Sequence, residues 1–283
     1  MRFGEQVKIG VTIHATDTGA DPVEVGVEAE ARGFHSYYLP EHTHIPVSRE
    51  TPAPTGDVEL AEEYKRTPDP YVVLAAVAAR TSEIRIGTGV GLVAQHDPIV
   101  LAKTIATLDR LSGGRFDAGI GYGWNREEMA DHGVLYGQRR AVVRETMLAM
   151  EALWRNDVAS YEGEHVRLSP SWAWPKPIQQ PRPPVLIGGG AGPKLFAAIA
   201  EFADGWIPIG GAGLADAVAS LRAAVRDVGR DPDLLRVVPF GTLPDAGKLD
   251  YYRSVGVTEV VLRLPHADMA TVLKTLDEYT RFL

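Results

Sequence analysis

The chain has 283 residues, with 29 Lys and Arg against 37 Asp and Glu, a formal net charge of −8 and no cysteine. This balance excludes the broad basic surface that nucleic-acid binding requires. The lack of cysteine excludes disulfides, thiolate metal sites and cysteine nucleophiles. No apolar run reaches the ~20 residues that span a membrane, and no signal peptide precedes the first strand-like segment. We therefore expect a cytoplasmic protein with neither nucleic acid nor a membrane as a partner.

Strand-like and helix-like segments alternate from the beginning of the chain. Residues 7–13 are the first predicted strand, and a helix capped by Asp21 follows it. The second strand covers residues 36–39. Residues 45–67 then show no sustained periodicity, which is typical of a lid, a binding loop or a disordered segment. The next helix begins after Asp69.

The stretch from Ile84 to Asn125 predicts a strand, a helix and a second strand. Asp97 and Pro98 are a helix N-cap and a first-turn proline, and a glycine pair ends the helix. Such a unit crosses over right-handed and places its two strands parallel. Glycines end both strands, so a ligand can approach the backbone at their carboxyl ends.

The rest of the chain continues the alternation after an interruption. Residues 158–182 read as an inserted hairpin with a proline-rich return. Eight strand–helix units in one chain predict a (β/α)8 TIM barrel as a single domain, residues 1–283, with insertions at 45–67 and 158–182. A doubly wound open sheet is the alternative. The later predicted strands are 185–187, 204–209, 235–240 and 258–262, and the helices are 126–132, 139–154, 193–202, 214–228, 246–254 and 267–282.

The strand ends of a barrel face one mouth, so ionisable residues there are candidates for chemistry. Glu41 and His42 follow the second strand, where a carboxylate beside an imidazole can place or take a proton near neutral pH. A solvated polar loop is the alternative. His42 and His44 also have the spacing of a metal pair, but such sites need further ligands from later strands. We expect no metal.

A glycine-rich turn, residues 188–192, leads from a predicted strand into a helix. Backbone N–H groups at a helix N-terminus attract anions, so this turn is a candidate phosphate cradle. A tight turn that requires positive φ is the alternative explanation.

The run GTGVGLVAQHDPIVLAKTIATLDRLSGGRFDAGIGYGWNREE, together with Tyr38–His42 and Pro183–Gly190, resembles the luciferase-like (bacterial luciferase) superfamily. Within it, the resemblance is to the oxidoreductase branch that uses coenzyme F420. It implies a homodimeric barrel enzyme that transfers a hydride between C5 of the deazaflavin and a small organic substrate. The substrate itself is not implied.

The resemblance also implies site residues. His42 and Glu41 are the catalytic pair, although the family often has Asp at the position of Glu41. Gly89 and Val90 occupy the place of a cis peptide bond behind the deazaflavin ring. His14 shares the same mouth. The further cofactor-binding residues are Gly121, Tyr122, Gly123 and Asn125 on the loop after the fourth strand, and Gly188, Gly189, Gly190 and Ala191 on the phosphate turn.

Three other functions remain open at this point. An FMN-dependent luciferase-like monooxygenase has the same fold and differs in its cofactor. A metal-dependent barrel hydrolase requires a bound divalent metal. A non-catalytic binding protein shows no redox turnover with any reduced cofactor.

Overall fold

A computed structural model describes residues 7–53, 59–209 and 213–283. Strands and helices alternate through most of the chain, as the sequence predicts. The strands are β1 (Lys8–Thr12), β2 (Ser36–Leu39), β3 (Arg85–Thr88), β4 (Phe116–Ile120), β5 (Ala159–Glu162), β6 (Arg167–Ser171), β7 (Val185–Gly188), β8 (Gly205–Ile207), β9 (Arg236–Val237), β10 (Phe240–Thr242) and β11 (Glu259–Arg263). The helices are α1 (Pro22–Ala31), α2 (Pro70–Arg80), α3 (Pro98–Leu111), α4 (Arg126–Asp131), α5 (Arg139–Arg155), α6 (Pro193–Phe202), α7 (Leu214–Asp227), α8 (Ala246–Ser254) and α9 (Met269–Tyr279).

Nine strands form one parallel sheet in the order β10-β11-β1-β2-β3-β4-β7-β8-β9. The two edge strands, β9 and β10, are separated in the chain only by Val238 and Pro239, so the sheet is curled. The Val238 N–H donates to the Trp206 carbonyl at 2.9 Å, and the Val261 N–H donates to the Pro239 carbonyl at 2.9 Å. The sequence predicts one strand over residues 235–240. The structure has two shorter strands there, because Pro239 has no N–H to donate to a neighbouring strand.

Aspartate N-caps and prolines begin several helices, as predicted. The Asp97 carboxylate accepts the N–H groups of Ile99 and Val100 at 2.9 Å each, and Pro98 occupies the first turn of α3. Asp21 and Asp69 cap α1 and α2 in the same way. The apolar side of α3 is buried, including Leu101, Ile105 and Leu108.

A buried ionic network lies at the amino-terminal ends of the strands. Asp117 is fully buried and accepts hydrogen bonds from Arg85 Nε at 3.0 Å and Arg236 Nη2 at 2.8 Å. Arg236 also donates to Glu259 at 2.9 Å. Burial by itself raises the pKa of Asp117, but the charges and hydrogen bonds of the two arginines outweigh it and hold that pKa well below its usual range. The network therefore links β3, β4, β9 and β11 inside the curled sheet.

An apolar layer lies above this network. It contains Tyr38, Leu186, Ile207, Val238 and Val261. The Tyr38 hydroxyl donates to Asp117 at 3.0 Å and joins the two layers. Partly buried Val90 and Phe240 pack on the other side of the apolar layer. The carboxyl ends of the strands lie on the side of the apolar layer away from the ionic network, and we call this end of the sheet the mouth.

The two predicted insertions differ from the repeating units. Strands β5 and β6 pair antiparallel, which confirms the hairpin predicted within residues 158–182. The loop 45–67 contains a 3-10 turn, Glu62–Arg66, and its residues 54–58 lie outside the described residues. Gly210 and Gly211, which follow the predicted strand 204–209, also lie outside them. In the described part of the chain, every helix is too short or too polar to cross a membrane.

Replacing Asp117 by Asn tests the ionic network. We expect a loss of about 3–5 kcal/mol in the free energy of unfolding, because two partly buried guanidinium groups lose their shared, fully buried counter-charge. The measurement is equilibrium denaturation in urea. Asp250→Asn is the control, since Asp250 forms an exposed pair with Arg253 on α8, and it should change stability by less than about 0.5 kcal/mol. Equal losses in both variants would contradict a structural role for the network.

Candidate active site

The predicted site residues all lie at or just beyond the carboxyl ends of parallel strands, and the mouth contains several of their side chains. His14 follows β1, and Glu41 and His42 follow β2. Gly89 and Val90 follow β3, the segment from Gly121 to Asn125 follows β4, and Gly188 ends β7.

His42 is oriented by a buried carboxylate that the sequence analysis does not identify. Its Nδ1 atom lies 2.9 and 3.1 Å from the two carboxylate oxygens of Glu128 on α4. The two side chains are only 7% and 1% exposed. The Glu128 carboxylate accepts a hydrogen bond from Nδ1–H, which leaves Nε2 as the imidazole atom that can exchange a proton with a substrate.

Aromatic rings surround His42. Its ring centroid lies 5.4 Å from that of Tyr64 and 5.7 Å from that of Trp124. His14 also packs on Tyr64, at 4.8 Å. Tyr64 belongs to the 3-10 turn of the long loop, so this loop contributes directly to the site. These rings shield the imidazole from water, which strengthens its electrostatic interactions.

His14 is a neutral member of this group. Its Nε2 lies 3.1 Å from the Thr67 hydroxyl. Burial lowers the pKa of His14 to about 4, against a smaller opposing effect of the Glu63 charge. At neutral pH the ring is therefore uncharged, and it offers a hydrogen bond rather than a charge to the mouth.

Glu41 has different partners from its neighbour in sequence. Its carboxylate accepts the Leu92 N–H at 2.5 Å and lies 2.7 Å from His96 Nε2, and the residue is 3% exposed. Glu41 therefore fixes the segment from Gly89 to His96, while Glu128 is the carboxylate that bonds to His42. A direct catalytic part for Glu41 stays a prediction.

Glycines leave room for two apolar side chains at the bottom of the mouth. The Gly89–Val90 peptide bond is cis, as the resemblance implies. A Cβ on Gly89 would lie 2.2 Å from the Phe240 ring, and a Cβ on Gly121 or Gly188 would lie 2.5 or 2.9 Å from a Val90 methyl group. Larger residues at these positions would displace Val90 or Phe240, the side chains that face the mouth.

The loop after β4 is held by contacts within the protein. Asn125 is fully buried, and its Oδ1 accepts the N–H groups of Glu127 and Glu128 at 3.1 Å each as the N-cap of α4. Tyr122 is half-buried beneath the guanidinium of Arg140, which lies 4.3 Å from its ring centroid. Asn125 thus positions Glu128, and contact of these residues with a cofactor stays a prediction.

The turn from β7 into α6 has an open side. Gly189 has a φ of 151°, and its N–H donates to the Ile207 carbonyl at 3.2 Å. Gly190 and Ala191 are exposed, and nothing lies within 4 Å of the position of a Cβ on Gly190. The positive φ fits a tight turn, and the exposed start of α6 also fits an anion cradle.

Across residues 7–53, 59–209 and 213–283, no group of three or more His, Cys, Asp and Glu side chains is arranged to hold a metal ion. His44 instead lies 3.0 Å from Asp131, on the surface. The geometry of the described residues therefore gives no support to a metal-dependent hydrolase.

Comparison with known proteins agrees with this architecture. The profile of the luciferase-like monooxygenase family matches residues 1–243. The chain belongs to this family.

Two relatives show the range of similarity. An uncharacterised protein of Mycobacterium tuberculosis is 46% identical over 259 residues, which are 90% of this chain and 91% of that protein. The F420-dependent glucose-6-phosphate dehydrogenase of Kineococcus radiotolerans is 29% identical over 229 residues, which are 79% of this chain and 63% of that enzyme.

Three solved structures share the fold. Monooxygenase RslO1 from Streptomyces bottropensis aligns with a TM-score of 0.77 at 21% identity, over 98% of both chains. An F420-dependent secondary alcohol dehydrogenase, solved with an F420–acetone adduct, aligns with a TM-score of 0.75 at 16% identity, over 99% of this chain and 98% of that one. The oxygenating constituent of 3,6-diketocamphane monooxygenase from Pseudomonas putida, solved with FMN, has a TM-score of 0.66 at 19% identity, over 85% and 68%.

Three residues of this site, Glu128, Tyr64 and His96, are not predicted from the sequence. Glu128 stands in the third position of a helix after an Asn N-cap, a signal that predicts the cap but not the partner. Tyr64 lies in a loop without periodicity. His96 is far from Glu41 in sequence, and only the folded chain brings the two together.

The pairing of His96 with Glu41 predicts a pH-dependent contribution to stability. Burial opposes protonation of His96, but the hydrogen bond to Glu41 and the negative charges of Glu41 and Asp69 together outweigh burial and raise its pKa above the usual value. The added stability is therefore fully present below the unfolded-state pKa and is lost as the pH rises through the folded-state pKa. His96→Gln should lower the melting temperature more at about pH 6 than at about pH 9.

His132→Gln is the control for this prediction. Burial, together with the charge of His44, lowers the pKa of His132. Replacing His132 should therefore cause no additional loss of stability at about pH 6 compared with about pH 9. A loss in His96→Gln that is the same at both pH values would contradict the ion pair.

Proposed function

We propose that this protein is an F420-dependent oxidoreductase that transfers a hydride between C5 of the deazaflavin and a small organic substrate. The observation that carries the proposal is the buried His42–Glu128 pair, which lies at the mouth. In this proposal the curled sheet is a (β/α)8 barrel in which β9 and β10 count as one strand. The hydrogen bonds of Val238 and Pro239 to β8 and β11 support that assignment.

The residues of the mouth fit a flat cofactor with a phosphate group. Val90 and Phe240 offer an apolar surface for a ring, and the glycines around them leave room for these two side chains. The exposed turn Gly188–Ala191, at the start of α6, would hold a phosphate through backbone N–H groups. A bound deazaflavin supplies a carbon that accepts or donates a hydride. Tyr122, Gly123 and Asn125 would line the same cofactor.

The accompanying proton is assigned to His42. Nδ1 is engaged by Glu128, so Nε2 gives a proton to the substrate oxygen or removes one from it. Glu128 keeps the ring in one orientation and stabilises its protonated form. Tyr64 and Trp124 limit the access of water to this atom. Glu41 supports the same site from behind, through the segment that carries Val90.

F420 is preferred to FMN because the resemblance quoted above is to the F420 branch. The F420-dependent dehydrogenases among the relatives and structural neighbours support this choice. The second candidate is an FMN-dependent monooxygenase, and the FMN complex of the Pseudomonas putida enzyme supports it. The homodimer and the cytoplasmic location stay predictions.

Titration with each cofactor separates the two candidates. Purified protein should bind F420 at least about tenfold more tightly than FMN, measured by the fluorescence change of each cofactor. The positive control is FMN binding to a known FMN-dependent member of the family under the same conditions. Tighter binding of FMN would replace the proposal by the monooxygenase, and binding of neither would contradict both.

His42→Ala should lower kcat by about 10²-fold or more, because the proton-transfer group is lost, while the Kd for the cofactor changes little. Glu128→Gln should lower kcat by at least about tenfold and shift the pH profile, because the amide cannot stabilise the protonated imidazole. Asp131→Asn is the matched control, since Asp131 lies on the same helix as Glu128 but pairs with the exposed His44.

Full activity of His42→Ala would remove His42 from the mechanism.

A further inference from the structure

A second imidazole, that of His14, lies in the mouth close to His42. Gly10 of β1 faces the inside of the curled sheet, where a Cβ would lie 3.2 Å from Glu259 Oε1. Successive residues of a strand alternate between its faces, so His14, four residues later, continues that inner face. The ring centroid of His14 lies 4.8 Å from that of Tyr64, which also packs on His42. Both imidazoles therefore border the space that the proposed function gives to the substrate.

The hydrogen bonds of Thr67 fix the proton of His14 on one nitrogen. The Thr67 hydroxyl lies 3.1 Å from His14 Nε2, and it donates to the Glu63 carbonyl oxygen at 3.1 Å. A hydroxyl has one proton to donate, and a carbonyl oxygen can only accept. Thr67 therefore accepts the hydrogen bond of His14, whose proton is on Nε2. Because burial lowers the pKa of His14 to about 4, the ring is neutral at neutral pH and Nδ1 keeps its electron pair.

Nδ1 of His14 is available to a ligand. It makes no hydrogen bond to another described residue, and it is not among the described side-chain atoms that are shielded from solvent and lack a partner. An atom without a partner that is not shielded is accessible. His14 consequently offers the mouth a hydrogen-bond acceptor without a charge. Such an atom binds an O–H or N–H group and repels a carboxylate or a phosphate.

His42 offers an acceptor of the same kind through its other nitrogen. Its Nδ1 is bonded to Glu128, so Nε2 faces the proposed substrate. In the neutral imidazole this Nε2 accepts a hydrogen bond from a hydroxyl group. The two histidines pack on the same Tyr64 ring, and one small molecule can reach both. The mouth thus presents two acceptors, of which only that of His42 is backed by a carboxylate that stabilises a proton gained in the reaction.

We propose that the substrate is an alcohol that carries a second O–H or N–H group, and that Nδ1 of His14 accepts a hydrogen bond from this second group. This inference rests on the proposed function and names the chemical class of its substrate. The reacting hydroxyl loses its proton to His42, its carbon loses a hydride to the deazaflavin, and a carbonyl compound is left. His14 selects the substrate and takes no part in either transfer. The sequence analysis places His14 in the mouth with the cofactor-binding residues, whereas this inference assigns it to the substrate.

Calorimetric titration of the full chain with 2-hydroxybenzyl alcohol and 2-methoxybenzyl alcohol tests the inference, with and without reduced F420, which cannot oxidise an alcohol. Both probes carry the alcohol, and only the first has a second O–H group. The hydroxy probe should bind at least about tenfold more tightly, because the methoxy probe leaves the acceptor of His14 without a donor. Equal binding of the two probes, or binding of neither, would overturn the inference.

Two replacements separate the nitrogen atoms of His14. His14→Gln keeps an amide near the position of Nε2 but has no acceptor at that of Nδ1, so the preference for the hydroxy probe should fall to about twofold or less. His14→Asn places its amide oxygen near the position of Nδ1 and should keep a preference of about fivefold or more. Thr43→Val is the control, since Thr43 contacts His44 and His132 on the surface. An unchanged preference in His14→Gln would contradict the inference.

The position of the His14 proton has a readout of its own. A long-range ¹H–¹⁵N correlation spectrum of protein labelled at histidine should show His14 at pH 7 as the neutral form protonated on Nε2. Thr67→Val should populate the form protonated on Nδ1 and weaken the preference for the hydroxy probe, because the acceptor that holds the proton on Nε2 is lost. A proton on Nδ1 in the wild type would overturn the inference whatever the probes show.

Cofactor titration distinguishes failure of this inference from failure of the proposed function. His14→Gln should bind F420 within about twofold of the wild type, because His14 is assigned to the substrate. A loss of about tenfold or more would make His14 a cofactor ligand and would overturn the inference. If the wild type binds no F420 but still prefers the hydroxy probe through His14, the proposed function fails and the acceptor site stands. If F420 binds and the preference is absent, only the acceptor site fails.

Discussion

The buried ionic network around Asp117 is the constraint on which the rest of the structure depends. Its carboxylate receives Arg85 and Arg236 from neighbouring parts of the curled sheet, and Tyr38 connects it to the apolar layer above. Two guanidinium groups inside a protein need a buried counter-charge, so the network is stable only when these strands are in register. It fills the amino-terminal end of the sheet. The proposed chemistry lies at the opposite end, where the glycines that follow the strands leave space.

Two further buried carboxylates organise that end, and each has a separate task. Glu41 binds Leu92 and His96 and so holds the segment that presents Val90. Glu128 binds Nδ1 of His42 and leaves the other imidazole nitrogen for the proposed proton transfer. Both carboxylates are nearly inaccessible to solvent, and a charge buried in this way must be paired. The proposed hydride transfer needs a fixed ring surface and a fixed proton-transfer group. Glu41 supports the first and Glu128 supports the second.

Most of the fold follows from local sequence signals. Aspartate–proline pairs predict the starts of α1, α2 and α3, and apolar runs ending in glycine predict β3 and β4, because capping and backbone freedom depend on adjacent residues. The antiparallel hairpin β5–β6 was also predictable. The break between β9 and β10 is not predicted, although Pro239 is visible in the sequence. The effect of Pro239 depends on how the neighbouring strands pair.

The sequence by itself determined the alternation of strands and helices, the family to which the chain belongs and the neighbourhood of the site, including His42 and the Gly89–Val90 segment. These depend on periodicity, caps and contiguous motifs. Only the tertiary structure decided that Glu128 orients His42, that Glu41 pairs with His96, and that Tyr64 packs on His42. Such pairings join residues from separate elements. Their physical reason is that a buried polar group takes the partner that the folded chain places beside it.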